Sequence, residues 1–330
     1  MEILRPFLLL KLKNMNKRIW IIGAGGIAIE YAKVLKALGR DFVVIGRGEL
    51  SAKKFKEIIG IQPILGGLDA FLESTTETPD HVINCVRAFE LGKVNIQLAN
   101  YGVKNILSEK PGFLPEEADD VIKVVKEKGT SIFIAYNRRF YSSVLAAEKV
   151  IKEDGGLLSF NFEFTEWAHV IENTPTIPEI ERNNLFITNS SHVVDLAFFL
   201  GGEPEKLTCY HNGTVGWHTP SNFAGAGETK DGILFSYNAN WNAPGRWAVE
   251  LLTSKHRIYL KPMEQLQLQD KGSVKVYPVE IDDHLDKEFK PGFFLETKAF
   301  LNGNYERLCS IEEQAKHHKI IYSNFLGRKK

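Results

Sequence analysis

The stretch Ile19-Trp20-Ile21-Ile22-Gly23-Ala24-Gly25-Gly26-Ile27-Ala28 decides the fold. Four apolar residues in a row suit a short strand buried on both faces. They run straight into Gly-x-Gly-x-x-Ala, a variant of the dinucleotide fingerprint. A helical stripe of Ile27, Tyr31, Val34, Leu35 and Leu38 follows and stops at Gly39. Each small residue has a physical reason. Gly23 makes the tight turn, Gly25 lets the backbone approach a pyrophosphate, and Ala28 lets helix and strand pack closely while the helix amino end faces the anion. Gly23, Gly25, Gly26, Ile27 and Ala28 are therefore expected to bind the cofactor.

Outward from this unit the same rhythm repeats. Phe42–Ile45, His81–Val86, Val103–Ser108 and Ser131–Ala135 are apolar runs, and amphipathic text lies between them. The helix after Pro115 carries Glu116, Glu117, Asp119 and Asp120 at its start and Lys126 and Lys128 before Gly129, which complements its dipole. Strand–helix alternation predicts an α/β fold, a doubly wound parallel Rossmann sheet over residues 17–137. After the second strand comes Arg47, where a carboxylate for the adenosine ribose is expected. Arg47 either pairs with a 2′-phosphate, which favours NADP, or stacks on adenine or faces solvent. Val86 and Glu109, at strand ends, are placed on the cofactor side. Lys110 precedes Pro111, so its backbone is held extended. Alone, a turn lysine is more often a solvated surface residue than a fixed hydrogen-bond donor.

Beyond Asn137 the pattern changes to an α+β domain over residues 138–330 with a large, mostly antiparallel sheet. Strand-like runs are Leu157–Glu166, Lys206–Tyr210, Ile233–Trp241, Trp247–Leu252, Arg257–Leu260 and Val274–Val279. Helical text covers Ser142–Lys152, Asn189–Leu200 and the segment from Phe293 onward, whose last helix is expected to return to the first domain. On a helix, Thr188, Asn189, His192 and Asp195 share one face, and His192 is either a catalyst or a core histidine.

Composition excludes several classes. Lys plus Arg and Asp plus Glu are 41 each, so bulk charge advertises neither nucleic acid nor membrane. Cys85, Cys209 and Cys309 are too few and scattered for a disulfide framework, which suits a cytoplasmic protein. No metal is expected; the adjacent pair His317-His318 reads as surface. Residues 1–16 read as an extension, because Phe7–Leu10 is too short for a signal core or a span.

Taken in order, the glycine motif, Glu109-Lys110-Pro111, Ala135-Tyr136-Asn137-Arg138-Arg139-Phe140 and Ser191-His192-Val193-Val194-Asp195-Leu196 resemble the glucose-fructose oxidoreductase/inositol dehydrogenase/rhizopine catabolism (Gfo/Idh/MocA) family. Gly292-Phe293-Phe294 through Gly303 resembles that family's closing helices. The resemblance implies NAD(P), leaning to NADP by Arg47, and a carbohydrate, cyclitol or nucleotide-sugar substrate contacted by Lys110 and His192. Where many members carry an acid four residues before the histidine, this chain has Thr188. Arg87-Ala88-Phe89 likewise replaces a common Thr-Pro and histidine. On this reading His192 is the base, Lys110 steadies the alkoxide, and Asn189, Thr188, Arg138, Tyr136 and Asp195 contact the substrate. Trp167, Trp241 and Trp247 are divided between a sugar pocket and the core. The alternatives are a dinucleotide-binding redox sensor without turnover, or a reductase of another small substrate. Aromatic strands of the second domain suggest a homodimer or homotetramer.

Overall fold

The computed structural model describes residues 19–328; the expected extension over residues 1–16 lies outside the described residues. Two compact units emerge. Among the described residues, one holds residues 19–113 with Glu117–Phe133 and Thr297–Asn304; the other holds Leu114–Glu116, Ile134–Glu296 and residues 305–328.

In the first unit, β1 (Ile19–Ile22) pairs in parallel with β2 (Phe42–Ile45) on one side and β3 (His81–Asn84) on the other. β4 (Asn105–Ser108) pairs in parallel with β3, and β5 (Ser131–Ile134) lies next, giving the order β2-β1-β3-β4-β5. All residues of β1 and β2 are buried, as continuous apolar runs require when helices cover both faces. The strand order reverses between β1 and β3, where open α/β sheets hold their ligands. Two helices that the sequence reading passed over, Glu49–Ile59 and Gly67–Ser74, follow β2. The first buries Ala52, Phe55 and Ile59 along one stripe; the second sets Phe71 edge-on against Trp20 at 4.8 Å. Phe300, from the Thr297–Asn304 segment, packs edge-on against His81 and Phe133.

The second unit is built on an eight-stranded sheet in the order β13-β12-β11-β10-β6-β9-β8-β7. Its strands are β6 (Leu157–Glu163), β7 (Pro204–Asn212), β8 (Asn222–Thr229), β9 (Leu234–Asn240), β10 (Ala248–Thr253), β11 (His256–Leu260), β12 (Gln267–Asp270) and β13 (Val276–Pro278). β6 and β9 run parallel, and the other neighbours are antiparallel. Period-two burial turns Phe160, Phe162, Phe235 and Tyr237 to one face, against Phe198 and Phe325 of covering helices. The aromatic residues that suggested a partner surface thus point inward. The opposite face carries Ser236 and Asn238 and the ion pairs Lys206–Glu228 and Arg257–Glu250.

Sequence reading missed β8, whose Asn-Phe-Ala-Gly-Ala-Gly text has little strand propensity. Its glycines pair with Tyr237 and Phe235. A Cβ on Gly225 would meet the Tyr237 ring at 2.5 Å, so the small residues make room for aromatic side chains leaning across from β9. Among the described residues no helix is long and apolar enough to cross a membrane.

Candidate active site

The glycine motif forms one corner of a cavity of 470 Å³ in the first unit, within the size range of small-molecule sites, roughly 300–1,000 Å³. Gly23 sits at φ +106°, and a Cβ there would lie 2.8 Å from the Cys85 carbonyl oxygen, so glycine is required. Its N–H donates to the Ile45 carbonyl at 2.8 Å, tying the ends of β1 and β2 together. Nothing lies within 4 Å of a Cβ placed on Gly25. The helix Gly26–Ala37 that begins there has no side-chain cap and no acid in its first turn. Its first N–H groups are available to an anion, and the donor set fits a dinucleotide pyrophosphate. Ala28 is fully buried where helix and strand meet.

Gly23, Gly25, Arg47 and Val86 line this cavity; Gly26, Ile27, Ala28, Glu109 and Lys110 are not among its lining residues. Arg47 is exposed and donates to both oxygens of Glu90, at 2.9 and 3.4 Å. Glu90 and Asp69 also line the cavity and were not singled out from the sequence. Both are short-range neighbours only in the fold, since they come from separate loops and helices.

The Lys110 turn is braced from within the same unit. Asn95, fully buried on the helix Leu91–Tyr101, accepts from Asn84 at 2.9 Å and donates to Ser108 Oγ and the Gly112 carbonyl, each at 2.9 Å. The Glu109 N–H donates to the Asn84 carbonyl, and the Glu109 carboxylate accepts from Tyr31 at 3.3 Å. The Lys110–Pro111 bond is cis.

In the second unit a wide, π-type turn over Phe186–Ser190 leads into the helix Ser191–Gly201. It changes the angular spacing, so the four residues expected on one face meet different partners. Asn189 donates to both oxygens of Glu166 at 3.1 Å. The Thr188 hydroxyl donates to the Asn184 carbonyl. His192 is buried edge-on to Tyr136, ring centroids 5.6 Å apart, and lies 6.2 Å from Trp247. Asp195, 1% exposed, accepts two hydrogen bonds from Arg139 at 2.6 and 2.9 Å. Its carboxylate is thus engaged by a buried ion pair, not presented to a substrate. Tyr136 likewise directs its hydroxyl to Gln314 and Tyr322, each at 3.1 Å, so its ring alone reaches His192.

Two residues that the sequence reading missed complete this region. Glu166 is buried, accepts also from Ser190 at 2.7 Å, and pairs with Arg246 at 3.2 Å. Burial raises its pKa, against the lowering effect of Ser190, Arg246 and Asn189. The signal was present: Phe160, Phe162, Phe164 and Glu166 share one parity, which puts a carboxylate at the end of an apolar face. Arg246 and Arg138 both lie over the Trp247 ring, at 4.4 and 4.5 Å. Trp241 and Trp247 are core residues, whereas Trp167 is exposed beside Arg246.

His317 and His318 are both buried, which corrects their reading as surface residues. Asp195, Cys309, Glu313 and His317 converge beside them. The cation there is the Arg139 guanidinium, 2.6 Å from Asp195 and 2.7 Å from Glu313.

A glycine-cornered cavity at a sheet reversal defines a dinucleotide-binding protein. Residues 17–136 match the model of the oxidoreductase family with an NAD-binding Rossmann fold, GFO_IDH_MocA, so this domain is similar to the NAD-binding domain of those oxidoreductases. Over 145 residues it is 29% identical to the uncharacterized oxidoreductase YhhX of Escherichia coli K12, a match spanning 41% of this chain and 40% of that one. Its fold is similar to that of UDP-N-acetylglucosamine 3-dehydrogenase from Acidithiobacillus ferrooxidans, with a TM-score of 0.70, 16% identity and coverage of 92% and 94% of the two chains. Levoglucosan dehydrogenase in complex with NADH and L-sorbose gives a TM-score of 0.73 at 17% identity, covering 94% and 97%. At these identities the likeness is one of fold.

Proposed function

We propose that this chain is an NAD(P)-dependent dehydrogenase that interconverts a hydroxyl and a carbonyl on a sugar-like substrate. The observation that carries this reading is the cavity cornered by Gly23, open onto an uncapped helix amino end. The sugar and nucleotide-sugar names of the two fold neighbours support the substrate class. The bound nicotinamide supplies the hydride acceptor or donor. His192 takes the hydroxyl proton in the oxidative direction, since imidazole titrates near neutral pH. Lys110, on its braced turn, donates to the same oxygen and stabilises developing negative charge. Tyr136 positions the His192 ring. Absorbance of the reduced cofactor across a panel of sugars, inositols and nucleotide sugars tests the proposal. Cofactor binding without turnover of any panel member favours the sensor reading.

NADP is the preferred cofactor in this proposal. The exposed Arg47–Glu90 pair contributes little, about 0–1 kcal/mol, so a 2′-phosphate displaces Glu90 at small cost. Calorimetric titration is expected to show tighter NADP than NAD binding, and Arg47→Ala removes the difference. Tighter NAD binding, unchanged in that variant, overturns it. The chain is further proposed to self-associate through the sheet face that lacks covering helices. Its small and polar side chains permit close face-to-face approach of two sheets. A monomer in sedimentation at micromolar concentration counts against this.

A further inference from the structure

We infer that the substrate carries an oxyanion, a carboxylate or a phosphate, and that Arg138 binds it. This rests on the dehydrogenase reading above and narrows its substrate class. Three arginines of the second unit show why. Arg139 is matched by Asp195 and Glu313. Arg246 is matched by Glu166. Arg138 shares the Trp247 ring with Arg246 and is partly buried, yet its guanidinium makes no hydrogen bond or ion pair among the described residues. Its contacts are the rings of Trp247, at 4.5 Å, and Tyr141, at 5.8 Å. An indole accepts no ordinary hydrogen bond, so the five N–H donors keep their capacity.

A cation withdrawn from water without a partner is costly, and burial indeed lowers the Arg138 pKa, with Glu264 and Glu166 opposing this through space and Arg246 adding to it. Of the two guanidinium groups at Trp247, that of Arg246 is ion-paired with Glu166, whereas Arg138 feels Glu166 and Glu264 only through space. Its fork is left without an anion in hydrogen-bonding contact among the described residues. The Arg138 guanidinium lies over the same indole whose ring centroid is 6.2 Å from that of His192. A guanidinium fork matches carboxylate and phosphate oxygens in two-point contact. The stack on Trp247 fixes the fork in place before the ligand arrives.

The test is calorimetry on the full chain with saturating cofactor. Probes are hexuronates and aldonates, the hexose 6-phosphates, and the neutral hexoses and inositols to which they correspond. At least one anionic probe is expected to bind ten- to a hundredfold more tightly than its neutral counterpart. Uronates leading assigns a carboxylate, and hexose phosphates leading assigns a phosphate. Arg138→Gln removes that advantage, and Arg138→Lys restores part of it; cofactor affinity and melting temperature report that both variants fold. If no anionic probe outbinds its neutral counterpart, or if the advantage survives in Arg138→Gln, the inference is overturned. Arg138-dependent anion binding without any turnover leaves this inference standing and sinks the dehydrogenase reading. Turnover confined to neutral sugars does the reverse.

Discussion

Lys110 and His192 are the residues on which the proposed chemistry rests, and each has an ordinary structural alternative. A buried histidine packed on Tyr136 loses stability when truncated; a turn lysine loses almost nothing. A positioned general base typically contributes about 10²–10⁴ in rate, and a donor to the developing oxyanion about 10²–10³. Lys110→Ala and His192→Ala are therefore expected to lower kcat by these factors while cofactor affinity stays within a few-fold. A folded double variant with near-normal turnover removes both from the mechanism. Side-chain type and position were enough to nominate Arg47, whereas Lys110 and His192 were singled out only by the family resemblance of the motifs that carry them. Type and position were not enough to separate Arg138 from Arg139, adjacent and identical in type. One meets Asp195 and Glu313 from distant segments, and the other meets aromatic faces. Which carboxylate folds back onto which arginine is a long-range outcome with no local signature.

At the scale of elements, hydrophobic period made most strands legible because packing demands that period. β1, β2, β6 and β9 follow their apolar text, whereas β8 escaped because its glycines fill strand positions only to admit Phe235 and Tyr237. The π-type turn at Phe186–Ser190 also escaped, and it separates the partners of Asn189, His192 and Asp195. The turn carrying Lys110 depends on a third hidden device. Asn95 looks polar in its helix, yet it is fully buried and spans Asn84, Ser108 and Gly112. Removing its amide leaves Asn84 and the Gly112 carbonyl short of partners, at about 1–3 kcal/mol for the group stranded. Asn95→Ala is expected to lower the melting temperature and also kcat, through a displaced Lys110, while cofactor affinity holds. A stability loss with unchanged kcat shows that the brace does not position the lysine.

At the scale of the whole molecule, balanced charge hides an acid-sensitive interior. His318 is buried, and its pKa is lowered from 6.5 to about 3 by that burial first, then by His317 and Arg328. The hydrogen bonds agree: Gln314 accepts from Tyr136 through Oε1, so its amide nitrogen donates to His318 Nε2 at 3.2 Å, which requires a neutral imidazole. His317 is lowered too, by burial against the opposing pull of Asp195 and Glu313. In the unfolded chain an imidazole protonates near 6.5. Between that pH and about 3 the unfolded state therefore holds a proton on this side chain that the native state refuses. The contribution of His318 to stability is complete above roughly pH 6.5 and is lost as pH falls towards 3. Between pH 7 and pH 5 this amounts to about 1–2 kcal/mol for one such group. Urea unfolding midpoints are expected to drop over that interval, and His318→Gln to flatten the drop, whatever the variant does to stability at pH 7. Because the readout is a slope, a general loss of packing cannot imitate it; an equally steep slope in the variant would place the acid sensitivity elsewhere.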